Sequence, residues 1–356
     1  MMEDKMTAAV KTAKGDFSIA EVEIPQLQKP DWVLARVKVA GICGTDLRHW
    51  KKKDPHLECK IMGHELAGEV VSVGPEVSNV KPGDRVVIET LLGDDTCDWC
   101  NIQQYNLCPD LYKVRMETVS QAFAQYVSGP AKKFYKLPDH VSFEEAALLD
   151  TFSVGLHALQ LSGLKINDKV AIIGSGSIGL GQLQLAKIAG ADVIIFDIVD
   201  SSLRLAKELG ADVVVNTKEE DGYQKLMEFT QNRGADITFE CAGGTAMEMT
   251  LPLATEFTRI GGKVIIVGGF DSGKTTTNLE WQRIQMSEIK LIPSASYSYW
   301  DIYPEMQICL DLLAKGKLNA KKMITHSFPL EEINSAFTVA RDKEHSDALF
   351  VALTIP

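Results

Sequence analysis

The chain has 356 residues, enough for about two domains at roughly 150 residues each, every one large enough to bury its own core. Hydrophobic residues make up 45% and charged residues 24%, close to the globular average, and no uncharged apolar run approaches the ~20 residues of a membrane span, which excludes a disordered tail protein and a membrane-spanning one. With 37 Lys and Arg against 48 Asp and Glu the net charge is −11, which argues against a nucleic-acid-binding surface.

Met1 to Lys14 is charged at Glu3, Asp4, Lys5 and Lys11 and lacks the apolar stretch of roughly 7 to 15 residues that a secretory signal needs, so a cytoplasmic protein is expected. Up to about residue 150 the pattern is mostly β. Thr7 to Val10, Val33 to Val39, Gly68 to Val73, Arg85 to Ile88 and Phe123 to Val127 are strand-like, with turns such as Lys81-Pro82-Gly83-Asp84 between them. Within this region Cys43-Gly44-Thr45-Asp46 follows a strand, and Gly63-His64-Glu65 comes later. A thiolate, an imidazole and a carboxylate suit a catalytic zinc, which takes three protein ligands and keeps one position for water or substrate. The same Cys and His would serve equally as core residues. Seven cysteines, an odd number with three crowded between Cys97 and Cys108, point to metal-bound or reduced thiols and away from disulfides.

From Lys169 onward short apolar runs alternate with helical-period segments. Strands are predicted at Val170 to Ile173, Val193 to Phe196, Val213 to Val215, Ile237 to Glu240 and Val264 to Val267, with helices at Leu180 to Ala189, Ser202 to Leu209, Tyr223 to Thr230 and Ala246 to Thr255. Such βα alternation predicts an α/β fold with a doubly wound parallel sheet. The first strand runs into Gly174-Ser175-Gly176-Ser177-Ile178-Gly179 and a helix, the context in which G-x-G-x-x-G binds a dinucleotide. Gly174 permits the tight turn, Gly176 lets backbone approach a pyrophosphate, and Gly179 lets the helix pack on the sheet. The helix N-terminus then faces the phosphate charge. Asp197 ends the second strand, where it can accept hydrogen bonds from both ribose hydroxyls, and no Arg or Lys follows in the next six positions, which favours NAD over NADP. Glycines at these positions would also suit a plain βα turn. Further on come a strand-like Lys290 to Ala295, a helix at Tyr303 to Lys315, and an apolar run, Ala348 to Thr354, that suits a strand returning to the first domain. There is no internal repeat or low-complexity tract.

In chain order, Cys43-Gly-Thr-Asp, Gly63-His64-Glu65, Val80 to Asp84, the cysteine lobe, Glu144-Glu145-Ala146-Ala147 and the nucleotide loop resemble the zinc-dependent medium-chain alcohol and polyol dehydrogenases. The resemblance spans essentially the whole chain and is closest to the sorbitol and threonine dehydrogenase branches. It implies a mostly β, GroES-like catalytic domain with the zinc sites over 1–152 and an NAD-binding Rossmann domain over 153–290. Residues 291–356 would complete the edge of the Rossmann sheet and return to the catalytic domain. A homodimer or homotetramer is implied, paired through Lys290 to Ala295 and Tyr303 to Lys315.

The same resemblance implies residue roles. Asp150, in Asp150-Thr151-Phe152-Ser153-Val154-Gly155 where the family has Glu-Pro-Phe/Leu-Ser-Val-Gly, takes the third catalytic zinc position. Being one methylene shorter, it either draws the ion toward its helix or leaves a water between. Glu65 resembles the family's other carboxylate, which binds zinc directly or through water, while Asp46 orients His64 through its second ring nitrogen. Thr45 matches the hydroxyl that takes the alcohol proton, and Val267, Gly268 and Gly269 would lie against the nicotinamide. The family's structural zinc uses C-x2-C-x2-C-x7-C; here the spacing is kept as Asp94-x2-Cys97-x2-Cys100-x7-Cys108. A filled site of one aspartate and three cysteines is expected, the alternative being an empty lobe of three free thiols. Cys59, Cys241 and Cys309 fall outside any ligand spacing and are expected to be packing residues.

Three departures stand out. Arg48 occupies the position where the family often has a proton-relay His, with His49 one further on; Ser120-Gln121 precede Ala122-Phe123 where the polyol branch has Asp-Gly; and Thr151 replaces a proline. Lys51-Lys52-Lys53 is either a solvated loop or a binding point for a substrate phosphate or carboxylate. The implied function is Lewis-acid activation of an alcohol by zinc with hydride passing to NAD: oxidation of a secondary hydroxyl on a polyol, cyclitol or sugar derivative, with or without a phosphate. Two alternatives stay open. One is an L-threonine 3-dehydrogenase-like activity, supported by Cys43-Gly-Thr-Asp and His49-Trp50. The other is a catalytically silent NAD-binding protein, against which Cys43, His64 and Asp150 count. Tyr105-Asn106-Leu107-Cys108-Pro109 favours the polyol branch. A small-molecule alcohol is the expected partner, with no nucleic acid and no membrane.

Overall fold

The computed structural model describes residues 4–50, 60–111, 122–269 and 276–356; Lys51-Lys52-Lys53, Cys59 and Ser120-Gln121 lie outside the described residues. The chain forms two compact units. Unit 1 comprises Met1–Asp150, Asp301–Gly316 and Ala320–Pro356, and unit 2 comprises Thr151–Trp300 and Lys317–Asn319.

Unit 1 begins with an antiparallel hairpin of β1 (Lys5–Lys11) and β2 (Phe17–Glu23). Next come β3 (Trp32–Gly41), β4 (Glu65–Val73), β5 (Arg85–Ile88), β6 (Tyr126–Pro130) and β7 (Phe134–Lys136). β3 pairs antiparallel with both β4 and β6. It is the central strand, and its Val33, Ala35 and Val37, spaced to fall on one face, join the main core of the unit. The expected strand Phe123 to Val127 begins only at Tyr126. The reason lies in the backbone partners: Phe123 bonds to Met62 and Ala9, and Gln125 bonds to Thr7 and Val37. No single neighbour offers a continuous ladder, so the segment zigzags before it becomes regular.

Unit 2 holds β8 (Lys169–Ile173), β9 (Asp192–Asp197), β10 (Val213–Asn216), β11 (Ala235–Glu240), β12 (Thr258–Ile266) and β13 (Lys290–Pro293). All pair in parallel, in the order β10-β9-β8-β11-β12-β13. Counted within the unit this is 3-2-1-4-5-6, the doubly wound order of dinucleotide-binding folds. Its strands are near-continuous runs of Val and Ile because both faces are covered by helices. The helix Met247–Phe257 carries Pro252 inside it. Proline has no N–H to give the carbonyl four residues back, and the Thr277 hydroxyl donates to that carbonyl, of Glu248, at 3.1 Å.

β14 (Tyr299–Trp300) and β15 (Tyr303–Pro304) are two-residue strands. The helix expected from Tyr303 starts at Glu305 and runs to Ala314, since a residue before proline is disfavoured in helical conformation and Pro304 holds Tyr303 extended. Finally β16 (Ile324–Pro329) and β17 (Phe350–Thr354) return to unit 1. Its sheet runs β16-β17-β3-β4-β5-β7, with β6 also on β3. In this unit Phe337, fully buried, packs its ring against Phe17 at 4.9 Å, Trp50 at 5.5 Å and Phe123 at 5.8 Å. Burial of each such ring contributes about 1.5–3 kcal/mol. Trp50 caps the short helix Gly44–His49, so the cluster fixes the helix that follows Cys43. Among the described residues no helix is long and apolar enough to cross a membrane.

Candidate metal centres and nucleotide loop

Cys43 stands at the end of the segment that leaves β3 and is the N-cap of the helix Gly44–His49. Its backbone N–H donates to Asp46 Oδ2 at 3.1 Å, so the first turn of that helix sets the direction of the sulfur. His64 follows Gly63, whose φ of +92° is open to glycine without the strain a Cβ would bring, and a Cβ there would lie 2.7 Å from the Phe123 ring. Glu65 is the first residue of β4 and faces Gly41 across the ladder to β3. A Cβ on Gly41 would collide with Glu65 Oε2 and with the ring of Phe350, so glycine makes room for the carboxylate.

Ligand atoms of Cys43, His64 and Glu65 all lie within 4.8 Å of one another. Ligands of one tetrahedral zinc, at bonds of ~2.0–2.3 Å, stand about 3.3 to 3.8 Å apart, so this donor set fits the ion. Asp150 lies in the first turn of the helix Leu149–Ser162 and is almost buried; its carboxylate is not within that distance of all three. Asp46 Oδ1 is 3.6 Å from His64 Nδ1, an electrostatic contact longer than a hydrogen bond. The backbone carbonyl of His64 accepts from the Thr90 hydroxyl at 3.4 Å. Burial raises the pKa of the Cys43 thiol, the charge of Glu65 raises it further, and His64 pulls it back. A divalent cation would reverse this balance by binding the thiolate. Thr45 accepts a hydrogen bond from Arg48 Nη2 at 2.9 Å. Arginine stays protonated and has no acceptor atom, so Arg48 cannot pass on a proton as an imidazole would.

The second cluster is Asp94, Cys97, Cys100 and Cys108, whose ligand atoms again lie within 4.8 Å of one another. Asp94 Oδ1 accepts from the backbone N–H of Thr96 at 2.8 Å and of Cys97 at 2.9 Å. The Cys97 amide, then that of Thr96, hold its carboxyl well below the usual carboxylate range. Desolvation pushes the Cys100 thiol up to about 12. Gly93 is a cradle, since a Cβ there would collide with Cys100 Sγ and stand 3.0 Å from Tyr105 Cβ. One carboxylate and three sulfurs match the donor chemistry of a closed zinc site.

In unit 2 the loop after β8 has the geometry its glycines predict. Gly174 has φ +100°, and a Cβ on Gly179 would overlap the Gly174 carbonyl oxygen. Gly176 is the extended N-cap of the helix Ser177–Ile188, and Ile178 is partly exposed in its first turn. Asp197 Oδ2 accepts from Ser175 N–H at 2.5 Å, while Oδ1 accepts from the amides of Ile198 at 2.7 Å and Val199 at 3.1 Å. The acid thus ties the glycine loop to the turn after β9. Val267 and Gly268 donate their amides to the Glu240 carbonyl, and Gly269 accepts from Gly244 N–H at 2.8 Å. Beneath them Glu240, fully buried, accepts at Oε1 from Thr250 at 2.8 Å and from Ala242 N–H at 3.0 Å. Its carboxyl is held above the ordinary range by desolvation. Glu240 escaped the motif analysis. The available signal was an acid at the C-terminal end of a strand that is otherwise buried. Gly41 gave none, because its role exists only across the ladder.

Residues 29–139 match the alcohol dehydrogenase GroES-like domain and residues 177–315 the zinc-binding dehydrogenase domain. D-arabitol-phosphate dehydrogenase of Enterococcus avium is 37% identical over 347 residues, covering 94% of each chain. Sorbitol dehydrogenase 1 of Saccharomyces cerevisiae is 33% identical over 355 residues, covering 95% of each. The crystal structure of galactitol-1-phosphate dehydrogenase from Escherichia coli superposes with a TM-score of 0.86 at 28% identity, over 98% of this chain and 100% of that one. Similarity that runs nearly end to end, through both domains and across the ligand-bearing segments, places the chain in the zinc-dependent medium-chain polyol dehydrogenase family.

Proposed function

We propose that this protein oxidises a secondary hydroxyl of a polyol, cyclitol or sugar derivative, with NAD as hydride acceptor. The observation that carries the proposal is the convergence of Cys43, His64 and Glu65 on one point of unit 1. These three residues would hold a catalytic zinc, with Asp150 proposed as a further carboxylate for the same ion. Zinc bound there supplies Lewis acidity, lowering the proton affinity of an alcohol oxygen. Thr45 is proposed to donate or accept at that oxygen, and the Arg48 bond to Thr45 Oγ1 holds the hydroxyl in one orientation. Asp94, Cys97, Cys100 and Cys108 would hold a second, structural zinc. Gly174, Gly176, Ile178 and Gly179 would receive the pyrophosphate at the helix N-terminus. Asp197, followed by Ile198, Val199 and Asp200, supports NAD, because a 2′-phosphate would meet carboxylates there. Val267, Gly268 and Gly269 are proposed to face the nicotinamide.

A phosphorylated substrate is a second reading, favoured by the guanidinium of Arg48, fixed on Thr45 three residues before it in the same short helix, and by the phosphate in the names of two relatives. Purified protein assayed for reduced cofactor against polyols, inositols, their phosphates and threonine, with NAD and with NADP, and with and without a chelator, tests the whole proposal. Turnover of an alcohol with NAD that the chelator abolishes supports it; no turnover of any alcohol overturns it. A cytosolic homodimer or homotetramer belongs to the same proposal, and light scattering on the purified protein tests its assembly.

A further inference from the structure

Glu89 follows β5 and is fully buried in unit 1. Its Oε1 accepts from the Tyr105 hydroxyl at 2.5 Å and from Lys133 Nζ at 2.6 Å, and its Oε2 accepts from the Tyr135 hydroxyl at 2.7 Å. Lys133 is itself buried, with its ammonium 3.5 Å from the centre of the Tyr105 ring. Both charges are out of water, so each depends on these partners. Three of the four residues belong to the sheet or its immediate edge. Lys133 ends the turn that leads into β7, and Tyr135 lies on β7 opposite Val87 of β5. Tyr105 alone belongs to the segment that carries Asp94, Cys97, Cys100 and Cys108.

Tyr105 is therefore held twice, its hydroxyl by Glu89 and its ring face by Lys133. It lies three residues before Cys108, whose N–H donates to the Tyr105 carbonyl at 3.0 Å. A Cβ on Gly93 would touch both Tyr105 Cβ and Cys108 Cβ, so the tyrosine and the cysteine share one packed corner. Cys108 cannot swing away unless Tyr105 leaves its place. The outer tie, Lys132 to Asp95 at 2.7 Å, is exposed on both sides and restrains the lobe far less.

We propose that Tyr105 is a positioning residue that latches the Asp94–Cys108 lobe, with the buried Glu89–Lys133 pair as its catch, and that this latch sets how fast the lobe exchanges its metal ion. The inference rests on the reading of the lobe as a zinc site. Opening the lobe would strip Glu89 of a phenol donor and Lys133 of its aromatic face. That penalty falls on the barrier to release and is separate from the strength of the ligands themselves.

The test uses the intact zinc-loaded protein. Zinc per chain is measured first, and release to a chelator is then followed with a coloured zinc indicator, the lobe's phase being the one that Cys97→Ser removes. Tyr105→Phe keeps the ring over Lys133 and loses only the hydroxyl bond; a hydrogen bond to a charged group is strong enough that about tenfold faster release is expected. Tyr135→Phe removes a bond of the same kind from the other oxygen of Glu89, outside the lobe. Both variants lower Tm, but only Tyr105→Phe speeds release. Equal acceleration by the two variants would show a general loss of stability, and no acceleration by Tyr105→Phe would show no latch; either overturns the proposal. The double variant Glu89→Gln/Lys133→Met, neutral as a pair, reads the catch independently and is expected to speed release as well; unchanged release there also overturns it. One zinc per chain with three reactive thiols would instead overturn the zinc reading of the lobe.

Discussion

Gly41 and Glu65 stand opposite each other on β3 and β4, so close that a Cβ on the first would occupy the place of the second's carboxylate. Gly41→Ala is therefore expected to displace Glu65 from Cys43 and His64 without removing any ligand. Loss of catalytic zinc affinity by about 10- to 100-fold, the usual effect of disturbing the surroundings of a ligand, should follow in chelator competition. Unchanged affinity would show that Glu65 is not held by this pairing.

Asp150 is the one proposed catalytic ligand that does not join Cys43, His64 and Glu65 in a group of atoms mutually within 4.8 Å. If it serves the ion with Cys43, His64 and Glu65, then Asp150→Asn lowers both zinc retention at that site and kcat/KM, again by about 10-fold or more. Glu65→Gln is expected to lower both further. Metal analysis and steady-state kinetics on the two variants rank the carboxylates, and an Asp150→Asn protein with the zinc retention and kcat/KM of wild type would remove Asp150 from the set.

Glu240 makes a prediction about pH. Burial holds its carboxyl above the ordinary range in the folded protein, so above the usual glutamate value of ~4.3 the native state keeps a proton that the unfolded chain has released. The native state then binds more protons than the unfolded one. Stability falls as pH rises through that window and stays lowered beyond it. Glu240→Gln, which keeps an acceptor for Thr250 and Ala242, should flatten this part of the Tm profile, measured from about pH 4 to about pH 8. A profile parallel to wild type would contradict it.

Asp197 serves three backbone amides as well as the proposed ribose site. Asp197→Ala leaves those donors short of a partner and is expected to raise the KM for NAD by about tenfold or more, with a smaller change in kcat. Asp197→Asn, which retains one acceptor oxygen, should fall between the two. Equal KM values in all three proteins would count against a role for this acid in cofactor binding.

Unit 2 was legible because local pattern and global fold coincide there. Val170 to Ile173, Val193 to Phe196 and Val264 to Val267 are apolar on every position, as suits strands covered on both faces, and Gly174 to Gly179 mark the turn. In unit 1 the signal is divided among distant partners. Phe123 to Gln125 looks like a strand but bonds to three separate segments, and β16, Ile-Thr-His-Ser-Phe-Pro, alternates weakly and is defined by its pairing with β17. Type and spacing marked Cys43, His64 and Glu65, and Asp94 with Cys97, Cys100 and Cys108, whose ligand atoms converge, and also Asp150, which does not join the first group. What spacing could not show was support: Gly41 under Glu65, Thr90 on the His64 carbonyl, and Tyr105 against Glu89 are relations between chain segments and leave no periodic trace.

β17 lies between β16 and β3, with Ile42 N–H bonded to the Val351 carbonyl and Ile355 N–H to that of Lys38. During synthesis, β3 emerges about 300 residues before the strand that flanks it, an interval on the order of 15 to 60 s at about 5–20 residues per second. Unit 2, almost contiguous in sequence, is complete before that interval ends. Unit 1 must therefore wait with an open sheet edge, and Cys43, His64 and Glu65 gain their final frame only after the parallel sheet of unit 2 already exists.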